Sequence, residues 1–181
     1  MTRAVLLSIR PRFAKAILDG SKTYELRRRF PKLEPGTVVY LYSSSPDMAI
    51  VGSFVSAEIK RAAKDELWHQ LQSELGLAEH EFSAYLDDQA HGVGIGTTGV
   101  REFETPIPLS EIRTWMKVEA PQSFRYLPAS AETWLRNRLA DDQRQEHIRP
   151  IRRPSFTLAT PSKVKGTDTR RDVASTRIHT A

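Results

Sequence analysis

The sequence predicts an α+β domain: a small, mostly antiparallel β-barrel with flanking helices, a C-terminal helix and a tail outside the core. Three observations carry this. Short strand-like segments are mixed with short helical ones, without the βαβ alternation of a parallel sheet. At 181 residues the chain suits one domain with its own core. Its hydrophobic fraction of 39% is slightly low, so part of the chain lies outside that core. An open sheet made of the same strands is the alternative.

Residues 4–9, AVLLSI, are apolar and partly β-branched, which predicts a short buried strand. Pro11 suits the first position of a helix, Phe13 and Ile17 share one helical face, and Gly20 supplies a left-handed stop, giving a helix over 11–19. From Thr23 the pattern alternates, with Tyr24 and Leu26 on one side and Thr23, Glu25 and Arg27 on the other, as in a half-buried strand. Pro35-Gly36 makes a turn. Val38–Tyr42 is the next strand, closed by Ser43-Ser44-Ser45-Pro46, and Ala49–Ile59 another, with Gly52 marking a bulge. Over 65–87, Leu67, Trp68, Leu71 and Leu75 form a helical stripe ended by Gly76, and Phe82, Tyr85 and Leu86 form a second. These aromatics read as packing residues of a helical pair on the barrel.

Residues 91–109, HGVGIGTTGVREFETPIPL, return to strand. GVGIG lacks the G-x-G-x-x-G spacing of a dinucleotide loop and no βαβ unit follows, so it reads as glycine-rich strand. Glu111–Trp115 reads as one turn of helix, and 121–126 as an irregular segment with two docking aromatics, Phe124 and Tyr126. Ser130 is placed to cap a last helix that turns Trp134, Leu135 and Leu139 inward and Arg136 and Arg138 outward. The expected organisation is a domain over 1–128, a helix over 129–148 packed on or beside it, and a basic disordered tail over 149–181, where Pro, Ser and Thr replace the apolar pattern.

The net charge of +5 is uneven. Residues 149–181 hold eight basic and two acidic groups, or +6, which leaves 19 basic and 20 acidic groups, or −1, on 1–148. A basic patch on the body must therefore come from clustering. There is no cysteine, which excludes disulfides and thiolate metal sites and suggests a reducing compartment. His69, His80, His91, His147 and His179 are scattered, so no metal or other cofactor is expected. The apolar run in MTRAVLLSIRPR is too short for a signal peptide or a span, which predicts a cytoplasmic protein without a membrane partner.

The densest polar cluster is Gly20-Ser-Lys22-Thr-Tyr-Glu25-Leu-Arg27-Arg28-Arg29. Lys22 is expected at the mouth of the strand as a phosphate-seeking point charge. Glu25 on the same face as Arg27 would orient the guanidinium and leave its other donors for a ligand. The alternative is a solvated strand face with surface ion pairs of little energetic weight. Ser8 and Arg10, ending the first strand, should open near the same cleft, as should Ser43–Ser45. Tyr40 and Tyr42 either stack on a base or pack in the core, with packing the commoner role.

The cluster fits a G-x-K-x-x-E-x-R signature, and with LLSIRPRFAKAILDGSKTYELRRR, VVYLYSSSPDMAIVGSFVSAEI, DELW, FETPIPLSEI and PQSFRY it resembles the ASCH domain family of the PUA-like superfamily over residues 4–128. The prokaryotic proteins it resembles are described as predicted transcriptional regulators. The resemblance implies a five- or six-stranded barrel with helices at its sides. It implies a cleft lined by the signature residues and an RNA-related or regulatory role. RNA or another nucleic acid is then the expected partner, a protein partner is unidentified, and Lys22, Glu25 and Arg27 form the recognition core with Ser8, Arg10, Arg28 and Arg29 in support. Two further readings stay open. Relatives proposed as ribonucleases imply cleavage with Glu25 as base and Lys22 or Arg27 stabilising the phosphorane. Relatives that hydrolyse acetylated cytidine carry a catalytic Thr three positions after the Lys, where this chain has Glu25, so that chemistry lacks its nucleophile here. An adaptor that contacts a protein through the tail or the 65–87 helices is the third reading.

Overall fold

The computed structural model describes residues 3–148. In chain order it contains β1 (Val5–Ile9), α1 (Pro11–Leu18), β2 (Tyr24–Arg27), β3 (Val38–Ser43), β4 (Ala49–Ala63), α2 (Lys64–Leu71), α3 (Glu79–Leu86) and β5 (His91–Pro108). A short α4 (Leu109–Glu111) runs into a π-helical turn (Ile112–Met116), and β6 (Phe124–Tyr126) and α5 (Ala129–Ile148) follow. The six strands form one mixed sheet in the order β2-β5-β4-β3-β1-β6, curled into a half-barrel. Among the described residues only the β1–β3 pairing is parallel. The expected α+β class and its mostly antiparallel, barrel-like sheet are thus present, with β2 and β6 as edges.

β1 reads as a continuous apolar run because both its faces are covered. Ala4 and Leu6 join a cluster with Tyr40, Tyr42, Ile107, Ile112, Leu127 and Leu135. Val5, Leu7 and Ile9 join the opposite cluster with Ala14, Ile17, Phe54, Val93 and Ile95. A third cluster, Leu26, Leu67, Leu71, Leu75, Phe82 and Leu86, seats α2 and α3 against β2 and β5, with the Trp68 and Phe82 rings 5.0 Å apart. Two glycines of the GVGIG segment answer to this seat. A Cβ on Gly92 would stand 2.8 Å from Leu67 Cδ2, and one on Gly94 would stand 2.6 Å from Leu71 Cδ1. At Gly92 and Gly94 a helix lies directly on the backbone, whereas a Cβ on Gly96 would stand 3.0 Å from the Glu58 carbonyl oxygen of β4.

Several expectations need correction. β4 runs on to Ala63 because β5 pairs with it through Ile59↔Ile95 to Ala63↔His91, and the ladder carries the polar Lys60 and Arg61 along. The 121–126 segment is not wholly irregular: Phe124–Tyr126 is a strand, paired with Leu7–Val5. β2 is not half-buried, since Glu25, Leu26 and Arg27 are all buried. The helical turn after β5 starts at Leu109 and continues as π-helix. Ser130 does not cap α5, which already begins at Ala129; the preceding Pro128 accepts the first helical bond, from Glu132. Tyr85 does not share the buried stripe of Phe82 and Leu86 but is 37% exposed. The tail expected over 149–181 lies outside the described residues. Among the described residues, no helix is long and apolar enough to cross a membrane.

A bulge is present beside Gly52 rather than at it: both ladders skip Val51, between Ile50 and Gly52. A Cβ on Gly52 would sit 2.5 Å from the Arg101 carbonyl oxygen and 2.5 Å from Leu18 Cδ2. Gly52→Ala should therefore lower stability by about 2 kcal/mol, the range of overpacking against backbone that cannot yield. Urea unfolding checks this, and a loss below about 0.5 kcal/mol, the scale of an ordinary surface change, would mean the bulge relaxes freely.

Candidate functional site

The site begins where α1 stops. Gly20, at φ +82°, takes the left-handed conformation that turns the chain back, and the Lys22 amide then donates to the Ala16 carbonyl (2.9 Å). The amides of Thr23 and Tyr24 both donate to the Glu74 carbonyl (3.0 and 3.1 Å), pinning the start of β2 under the 72–77 turn. Lys22 is driven inward by this geometry. Its stem lies under Gly76, where a Cβ would come within 3.2 Å of Lys22 Cβ. Its ammonium donates to the Leu75 carbonyl (2.6 Å), lies 5.1 Å from the centre of the Phe13 ring and is 3.4 Å from Glu25 Oε2.

Lys22 is 1% exposed, Glu25 5% and Arg27 8%. The reading of this strand face as solvated is therefore overturned, and so is the expectation of Lys22 as an accessible point charge. Burial pushes the Lys22 ammonium below the ordinary lysine range, and the neighbouring Glu25 carboxylate pulls it back up. Glu25 is shared: Oε2 faces Lys22, and Oε1 is 3.0 Å from Arg27 Nη2. That same Nη2 donates to the Ser8 carbonyl (2.6 Å). Arg27 thus ties edge strand β2 to β1 across the open side of the half-barrel, although three strands separate them in the sheet. Its Nε is buried and bonds to no protein atom.

A cleft of about 440 Å³ opens over this triad. One wall comes from the start of α1, with Arg10, Arg12 and Phe13; the other comes from α3 and the turn before it, with Leu77, Glu81, Ala84 and Tyr85. Arg12 and Glu81 meet across it at 2.6 Å. Arg28 donates from Nε to the Tyr85 carbonyl, and its guanidinium lies 5.2 Å from the centre of the Tyr85 ring. Five cations (Arg10, Arg12, Lys22, Arg27, Arg28) and two carboxylates (Glu25, Glu81) line the space, a formal +3 within a body that carries −1. Clustering builds this patch, and it favours an anion.

Of the residues singled out in the sequence, Lys22, Glu25, Arg27, Arg28, Arg10 and Ser8 all line this cleft, Ser8 also offering its carbonyl to Arg27. Arg29 lines an adjoining space instead. Ser43–Ser45 do not line it: the Ser43 hydroxyl is buried and donates to Asp47 Oδ2 (2.6 Å). Tyr40 and Tyr42 are core residues, 4% exposed each, with the Tyr40 and Phe103 rings 6.4 Å apart. Arg12, Glu81 and Tyr85 were not among the expected site residues. The signal for the α3 wall was present, because Leu77, Glu81, Ala84 and Tyr85 are spaced i, i+4, i+7, i+8, a face beside that of Phe82 and Leu86. Among the described residues no group of three His, Cys, Asp or Glu side chains could hold a metal.

Comparison with known proteins agrees with the fold. Residues 7–134 match the ASCH domain family. A protein of Zymomonas mobilis named "ASCH domain-containing ribonuclease" is 26% identical over 134 residues, covering 74% of this chain and 85% of that one. The crystal structure of ASCH from Zymomonas mobilis superposes with a TM-score of 0.71 at 24% identity, over 75% of this chain and 94% of that one.

Because Glu25 balances two buried cations, Glu25→Gln should cost about 3 kcal/mol in urea unfolding, the scale for breaking a buried charge pair. Combined with Lys22→Met, the loss should fall short of the sum of the single losses by more than about 1 kcal/mol, as for directly coupled residues. Additive losses would mean that the two charges do not interact.

Proposed function

The chain belongs to the ASCH domain family, and on that premise we propose that it binds nucleic acid, as single-stranded RNA or a modified nucleotide, in the cleft between α1 and α3. Arg27 is the observation that carries this reading. Its guanidinium is held by Glu25 and the Ser8 carbonyl, lines the cleft and keeps a buried Nε–H without a protein acceptor. A phosphate or base-edge oxygen would supply that acceptor once the guanidinium turns toward the cleft, since Nε itself is shielded in the free protein. Lys22 and Glu25 act from beneath, fixing Arg27, while the exposed Arg10, Arg12 and Arg28 meet the phosphates. Tyr85 and Phe13 offer rings to a base. A cytoplasmic location and a regulatory role belong to the same proposal, the first resting on the cysteine-free composition and the second on the family resemblance.

A second reading is favoured by the name of the Zymomonas mobilis relative: the bound RNA is also cleaved. Glu25 and Lys22 would be the general base and acid of such a reaction, the base accepting the proton of the attacking hydroxyl and the acid protonating the departing oxygen. Both Glu25 oxygens face cations in the free cleft, so Glu25 would have to exchange a contact to accept a proton.

Fluorescence anisotropy of labelled single-stranded RNA with the full chain tests binding. Arg27→Gln and Arg28→Ala should each weaken binding about tenfold at physiological salt, the scale of one charge-assisted hydrogen bond. Wild-type affinity in both variants would place binding outside the cleft. Incubating the same RNA with wild type, with and without added divalent cation, tests the second reading: shortened products that Glu25→Gln protein fails to make support it, and RNA left intact under both conditions refutes it.

A further inference from the structure

A second concavity of about 370 Å³ opens directly beside the cleft. Arg27, Arg28 and Tyr85 line both spaces, so the two are halves of one trough divided where Arg28 lies against the Tyr85 ring. The second half adds Arg29, Gln89 and Ser123, giving it three arginines and no acidic lining residue. Gln89 is held in one orientation there: its Nε2 donates to Asp88 Oδ1 (2.7 Å), and its Oε1 accepts from Arg29 Nε (3.3 Å). That bond uses one of the five N–H donors of an exposed guanidinium. Asp88, which accepts from Gln89 and also feels Arg28 and Arg29, offsets part of the charge gathered there, and a phosphate would balance more of it. The 37% exposed Tyr85 ring stands between two anion-seeking spaces, the arrangement of a stacking platform flanked by backbone contacts.

We infer that the second concavity is a subsite for the neighbouring nucleotide, so that the trough takes an oligonucleotide of two or more residues rather than a free nucleoside or mononucleotide. A base stacks on Tyr85, one phosphate lies over Arg27 in the cleft, and the next meets Arg29 and the Gln89 amide. A lone nucleoside would bring no phosphate to Arg27, Arg28 or Arg29. This inference rests on the reading of the cleft as a nucleic-acid site and adds its length requirement.

Competition by unlabelled uridine monophosphate, diuridylate and triuridylate against a labelled oligouridylate tests it on the full chain. Wild type should bind the trimer at least tenfold more tightly than the monomer. Arg29→Ala should remove most of that gain and leave monomer affinity within about twofold, as the loss of a single exposed contact would. A thermal melt matching wild type confirms that the variant is folded. Equal affinity for monomer and trimer, or a gain unchanged by Arg29→Ala, overturns the second subsite while leaving the cleft reading standing. Failure of the labelled oligouridylate itself to bind overturns both.

Discussion

A buried file of charge, Lys22–Glu25–Arg27, is the constraint on which the rest of this structure depends. Two cations and one anion are removed from water, an arrangement that is favourable only with close geometry and further hydrogen bonds to the charged groups; the Arg27 Nε–H is left without one. The fold supplies that geometry from three directions. The 72–77 turn covers Lys22 and accepts a hydrogen bond from its ammonium, β2 sets Glu25 and Arg27 on one face, and β1 presents the Ser8 carbonyl. In return the guanidinium links β2 to β1 where the sheet itself leaves the half-barrel open. A charged network here does the work that a ladder of backbone hydrogen bonds would do in a closed barrel.

The same network explains the polarity of the cleft. One carboxylate shared by two cations leaves the floor positive, and Arg10, Arg12 and Arg28 at the rim extend that charge outward. Glu81 offsets it only from the opposite wall, through Arg12. The helical pair matters for shape: the contact of α2 with the bare backbone at Gly92 and Gly94 lets α3 stand close enough for Tyr85 to meet Arg28.

Most of the architecture could be read from the chain. Pro11, Gly20, Pro35-Gly36 and the alternation around Val38 and Ala49 mark element ends through local chemistry, and local chemistry is what a sequence displays. β6 was hidden because a three-residue strand carries almost no periodic signal, and its identity comes from pairing with distant β1. The site was legible in part. Lys22, Glu25 and Arg27 stood out as a cluster, but their burial did not, because it is imposed by the 72–77 turn some fifty positions later. Tyr85 and Glu81 were obscured by their neighbours: Phe82 and Leu86 dominate the α3 pattern, and the polar face beside them looks like ordinary solvated helix.

The central claim is that Arg27, fixed from beneath, is the group that receives the ligand, and its unpartnered Nε–H reports on this directly. In a protein with 15N-labelled arginine, assigned with an Arg27→Lys variant, the Arg27 Nε–Hε resonance should shift on titration with short single-stranded RNA. Arg125, exposed on β6 and outside both concavities, should stay in place. Shifts confined to other arginines, with the Arg27 signal unmoved at saturating RNA, would contradict the account.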